Sequence, residues 1–154
     1  MRVAVCLFGV IARSIRWTWP SVEKHLLHPL RRDGHVVELF GFNLHIDSSI
    51  PVDGVLLTTS ALATIPFSAL EEKRQSDVDV RIDRICPQLA CPTFDAYSQR
   101  PSMIRNCFRQ LHSEMRVARF LRDSKHDVAI VTGPDYHLAT DISLGDVRRA
   151  ALDL

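Results

Sequence analysis

Residues Asp127 to Tyr136, DVAIVTGPDY, restrict the fold of this chain more than any other stretch. Val128 to Thr132 is an unbroken run of apolar or β-branched residues, suited to a strand buried on both faces. The run halts at Gly133-Pro134, a pair that cannot extend a central strand, and Asp135 follows at once. In open α/β sheets, ligands sit just beyond the carboxyl ends of the strands. A carboxylate there is placed to hold a divalent cation against a phosphate. It is equally placed to cap a turn or helix or to make an Asx turn, and the residues alone leave these readings open.

Three further strands are expected upstream: Arg2–Phe8, ended by Gly9; His35–Phe42; and a short one at Val55–Thr58. Between them the pattern turns helical. Trp19, Val22, Leu26 and Leu30 recur about once per turn and predict a helix over Ile15–Leu30, with Pro20 in its first turn and Asp33-Gly34 as the stop. Ser68–Ile85 is charged and helix-prone. Ser102–Ser124 is the clearest helix, with Ser102 as a plausible N-cap and an apolar stripe of Ile104, Cys107, Phe108, Leu111, Met115, Ala118 and Leu121. Asn43–Pro51 and Cys86–Pro101 read as loops. Asp141 or Ser143 is suited to cap a last helix from Leu144 to Leu154. Strands alternating with helices predict a mostly parallel central sheet in a Rossmann-like layered sandwich, with residues 1–154 forming one α/β domain.

The 154 residues suffice to bury a core, and 19 basic against 18 acidic side chains leave a formal charge of +1. No global field favours nucleic acid or an anionic membrane, and the arginine-rich face described below lacks the interleaved aromatics that stack bases. No apolar run approaches the ~20 residues needed to span a bilayer. The opening MRVAVCLFGVIARS has the outline of a short signal peptide, with a competing reading as the first buried strand. Cys6, Cys86, Cys91 and Cys107 show neither a disulfide framework nor zinc-finger spacing, so buried or partly buried free thiols in a reducing, cytoplasmic setting are expected.

No G-x-G-x-x-G, P-loop, nucleophile elbow, H-E-x-x-H or kinase signature is present. What remains is a set of loops at strand ends. In Gly9–Ser14, Gly9 permits close backbone approach to a ligand, Arg13 can fork onto a phosphate, and Ser14 can add a hydroxyl contact; a turn glycine and a solvated arginine explain the same residues. On the clearest helix Arg105, Arg109, His112, Arg116 and Arg119 share one side, with few acids at i±4. A solvated face is the expectation for all of these except Arg105, which lies in the first turn near the strand ends. The pair His25 and His28 flanks an apolar helix face and suits the surface better than a metal. His137, close to Asp135, is the remaining histidine of interest.

Taken in order, these pieces resemble a family of GT-A-type glycosyltransferase-like proteins, many known only from microbial and viral genomes. The family's G-x-x-x-R-S loop is matched by Gly9, Arg13 and Ser14, and its helix with a proline-containing end by PSVEKHLLHPL. Its N-x-x-x-Q-x-x-S helix is matched by Asn106, Gln110 and Ser113, and its D-[VI]-[VAI]-[IV]-x-x-R-x-D strand by Asp127 to Asp135. The resemblance implies a nucleotide-sugar site made of Gly9, Arg13, Ser14, Arg105, Gln110, Asp135 and Tyr136. In it Asp135 serves as ligand to Mn²⁺ or Mg²⁺ across the donor diphosphate, and transfer is to an unknown acceptor. Two departures stand out. The family's arginine two residues before the final Asp is Gly133 here, and only 19 residues follow Asp135, where an acceptor-binding half is expected. A non-catalytic α/β nucleotide- or protein-binding module is the main alternative. Another small α/β enzyme acting on nucleotides or phosphorylated metabolites is disfavoured by the lack of a recognisable nucleophile or base.

Overall fold

The computed structural model describes residues 1–46, 60–87, 101–122 and 125–145. β1 (Arg2–Gly9) is the centre of the architecture, with Val3 to Leu7 fully buried. α1 (Ile11–Val22) runs through a wide π-type turn, Glu23–Leu27, into α2 (His28–Arg32). β2 (Val36–His45) follows, then a single helical turn α3 (Ser60–Ala63), β3 (Ala69–Arg74), α4 (Gln75–Ile85), α5 (Pro101–Arg122) and β4 (Val128–Thr132). The four strands form an all-parallel sheet in the order β3-β2-β1-β4. This is a Rossmann-like layered α/β fold.

The period-two alternation of β1 divides the core into two layers. Val3, Val5 and Leu7 face Ile11, Ile15, Leu26 and Leu30 of α1 and its continuation. Ala4 and Cys6 face the other way, joining Phe42, Val78, Ile82 and Val117 beneath α4 and α5. Successive strands run from β1 out to β3 on one side, and β4 then pairs on the other side of β1. The reversal between β1 and β4 opens a crevice at their carboxyl ends, the usual place for a ligand in such sheets.

Several expectations from sequence are corrected. β4 has the expected bounds, but among the described strands it lies at the end of the sheet rather than its middle. Its residues alternate between half-buried and exposed, with Val131 47% exposed. The first helix starts at Ile11, not Ile15, so Pro20 falls inside it. Pro20 cannot donate to the Arg16 carbonyl, and both residues are solvent-exposed. β2 extends beyond Phe42 to His45, taking in Asn43, which had read as loop. Ser68–Ile85 is not one helix: Ala69–Arg74 pairs with Phe40–His45, and only Gln75–Ile85 is helical. Ser102 falls within α5, which is described from Pro101 onward. The expected strand Val55–Thr58 lies outside the described residues, as does most of the expected helix Leu144–Leu154.

The orientation of α5 also differs from the expected stripe. Ile104, Phe108, Val117 and Leu121 pack on the core, while Leu111 and Met115 are exposed. Cys107 is exposed as well, so it is not the partly buried thiol expected. The arginines account for this rotation. Arg105 meets Asp83 at 2.7 Å, Arg109 forks onto Asp79, and Arg116 pairs with Glu71. Their acidic partners come from α4 and β3, beyond the reach of an i±4 inspection of α5 alone. Along Arg105, Arg109 and Arg116 this side of α5 is therefore an inter-element ion-pair seam rather than a solvated face, whereas Arg119 is exposed as expected. No helix among the described residues is long and apolar enough to cross a membrane.

Candidate functional site

The geometry at the sheet's carboxyl end begins with how α1 starts. Val10 occupies the cap position and offers no side-chain hydrogen bond. Asn43, fully buried on β2, supplies the cap from the neighbouring strand: its Oδ1 accepts the Ile11 amide at 3.0 Å and the Ala12 amide at 3.4 Å. Its Nδ2 donates to Glu72 Oε1 at 2.8 Å. Gly9, paired with Asn43 across the ladder, has φ +109°, a value that favours glycine, and so turns the chain from β1 into the helix. Arg13 and Ser14 consequently lie in the first turn of α1 rather than in a loop.

Above these strand ends is a cleft of about 550 Å³. Phe8, Leu44 and Ile46 give it an apolar part at the ends of β1 and β2. Gly9, Arg13 and the post-β4 residues Gly133 to Tyr136 line it near α1. From α5 come Asn106, Arg109, Gln110 and Ser113, with Gln75 from α4. Among these residues two guanidinium groups, Arg13 and Arg109, stand with one carboxylate, Asp135.

Both arginines are already engaged. Arg13 Nη2 donates to Asp135 Oδ2 at 2.6 Å, and the two side chains are 41% and 50% exposed, so the pair is accessible to solvent and to ligand. Arg109 is held more firmly. Its Nε and Nη2 donate to the two Asp79 oxygens at 2.7 and 2.6 Å, and Nη1 donates to Asn106 Oδ1 at 2.6 Å. Such a bidentate fork fixes the guanidinium plane at the cleft wall. Gln110 Nε2 donates to Glu114 Oε1 at 3.1 Å. Ser113, buried, donates to the Arg109 carbonyl at 2.8 Å.

Gly133 and Tyr136 form a local unit. A Cβ at Gly133 would come within 3.2 Å of the Tyr136 ring, so the ring packs directly over the glycine. The Tyr136 ring, 65% exposed, lies beside the cleft.

Of the residues singled out from sequence, the structure brings Gly9, Arg13, Gln110, Asp135 and Tyr136 to one cleft. Ser14 and Arg105 do not line it. Ser14 Oγ is turned inward and buried without a partner, and Arg105 is drawn to Asp83. His137 is exposed and also off the cleft, and His25 meets Asp141 at 2.8 Å instead of sharing a ligand with His28. Sequence reasoning missed Asn43, because its capping role spans strands. It also set Arg109 aside as solvated; the pattern of acids Asp79 and Asp83 against Arg109 and Arg105, four residues apart on each helix, was the available signal.

Comparison of the chain with protein-family models, with curated proteins and with solved structures finds no match. The functional reading therefore rests on the cleft itself.

Proposed function

We propose that the cleft binds a nucleoside-diphosphate sugar and that the chain is a GT-A-type glycosyltransferase acting on an acceptor not specified by its residues. The observation that carries this reading is the convergence of Arg13 and Asp135 beside a crevice whose far wall, on α5, bears Asn106, Arg109 and Gln110. A guanidinium suits diphosphate oxygens, side-chain amides suit base edges and sugar hydroxyls, and the Tyr136 ring offers a flat apolar face.

Asp135 fits a Mn²⁺ or Mg²⁺ of the kind completed by its ligand. Among the described residues no group of three or more His, Cys, Asp or Glu gathers as an all-protein cage. Magnesium-type sites commonly use one or two carboxylates plus substrate phosphates and water, and Asp135 would supply one such carboxylate. Such a cation, when bound, neutralises charge developing on the diphosphate leaving group. The protein's own part would be to exchange the Arg13–Asp135 pair for the ligand, with Asp135 holding the cation and Arg13 the phosphate. Arg109, held rigid by Asp79, would offer its remaining guanidinium N–H groups at the wall, its charge balanced by that carboxylate.

A second reading, a non-catalytic nucleotide-binding module, is favoured by one feature. Asp135 is the single carboxylate among the described residues lining the cleft, leaving no second acid as an evident base. Thermal stabilisation by UDP- and GDP-sugars with and without Mn²⁺ tests donor binding, and loss of the shift in Asp135→Asn tests the cation's place. Donor turnover separates the transferase from the module.

A further inference from the structure

The segment bearing Asp135 has little regular structure after β4, yet it is tied to the first helix at several points. Thr18, Ser21 and His25, spaced three and four residues apart, share the helix face that meets it. Thr18 Oγ1 donates to the Pro134 carbonyl at 2.7 Å. Ser21 Oγ accepts the Leu138 amide at 3.1 Å while donating to the Thr18 carbonyl at 2.8 Å. Both hydroxyl residues are buried. His25 Nδ1 meets Asp141 at 2.8 Å, and the His25 carbonyl accepts the Ile142 amide at 2.8 Å. That carbonyl lacks its α-helical partner because Pro29, four residues on, has no N–H.

Resting on the donor-site reading above, we propose that Thr18 and Ser21 are positioning residues for the cation and diphosphate. They clamp Pro134 and Leu138 on either side of Asp135 and Tyr136, and so set where the carboxylate and ring meet the ligand. Productive sites need their groups held close to one geometry, and a loop meets that demand only through such tethers.

The test uses the full chain with Thr18→Val, which keeps the shape and removes the donor, Thr18→Ser, which restores it, and Ser21→Ala. The probes are Mn²⁺ with UDP and Mn²⁺ with GDP, titrated calorimetrically. Backbone ¹⁵N relaxation of the ligand-free protein reads order at Asp135 and Tyr136. Thr18→Val should weaken nucleotide binding about tenfold, the scale of one lost buried hydrogen bond, and Thr18→Ser should recover it. Order at Asp135 and Tyr136 should fall in Thr18→Val and Ser21→Ala without ligand. A bond that merely supports the fold would lower the melting temperature and leave the folded protein's affinity unchanged; that result overturns the proposal. Should Thr18→Val not fold, Ser21→Ala carries the same test through Leu138. If the wild type binds neither nucleotide, the donor-site reading fails on its own account. The relaxation data then decide the tether: lost order at Asp135 and Tyr136 supports it, and unchanged order overturns it.

Discussion

Replacing Asn43 with alanine removes a side chain that is fully buried and hydrogen-bonded at both ends. The Ile11 and Ala12 amides lose their shared acceptor, and Glu72 loses its donor. Loss of a helix cap costs ~1 kcal/mol, and a buried amide left without a partner raises the cost by ~1–2 kcal/mol. Together these terms give an expected destabilisation of about 2–3 kcal/mol. For a chain of this size that corresponds to a fall in melting temperature of roughly 4–12 °C. Urea unfolding should show a lower midpoint at an unchanged slope, since the surface exposed on unfolding is nearly the same. The consequence extends to the cleft, because the first turn that Asn43 holds also carries Arg13. A loss below ~0.5 kcal/mol, within the range of an ordinary surface substitution, would refute the long-range cap.

Three further outcomes are expected. A double-mutant cycle of Arg109→Leu and Asp79→Leu should give a coupling of about 1–3 kcal/mol, because the fork is bidentate with side chains only 17% and 19% exposed; the more open Arg2–Glu38 pair should give little. Burial pushes the Cys6 thiol up to about 12, so in the folded protein at pH 8 iodoacetamide should label the exposed Cys107 and spare Cys6 until the chain unfolds. Burial first, then the neighbouring charges of Arg81, Arg116 and Lys73, hold the His112 imidazole below its ordinary value of 6.5. The unfolded chain therefore takes up that proton first as pH falls. Stability contributed by neutral His112 is intact above 6.5, is lost as pH drops toward the lower folded value, and that slope should flatten in His112→Gln.

Much of the fold could be read locally because local physics wrote it. Val3 to Leu7 and Val128 to Thr132 are apolar runs bounded by glycine, and both became parallel strands paired to each other. What escaped was decided across elements. ALEEKR resembles a helix start in isolation, but its edge pairing with β2 and the Glu71–Arg116 contact make it a strand. The start of α1 depends on Asn43 thirty-two positions away, which no capping pattern near Ile11 reveals. At the cleft, Asp135 and Arg13 were marked separately by position after strands, and the fold brings them into contact. Arg105 and Arg109 were exchanged in importance, because the helical period shows which residues share a side but not which partner helix supplies the acids.

The account turns on Asp135 acting as the protein's carboxylate for a cation shared with a nucleoside diphosphate. Calorimetric titration of UDP and GDP, with Mn²⁺ and with EDTA, into the wild type and Asp135→Asn tests it most directly. The account predicts binding that requires Mn²⁺ in the wild type and is lost in Asp135→Asn, with the variant's fold retained. Binding of either nucleotide that is equally tight with EDTA, or unaffected by Asp135→Asn, would contradict it, as would no binding under any condition.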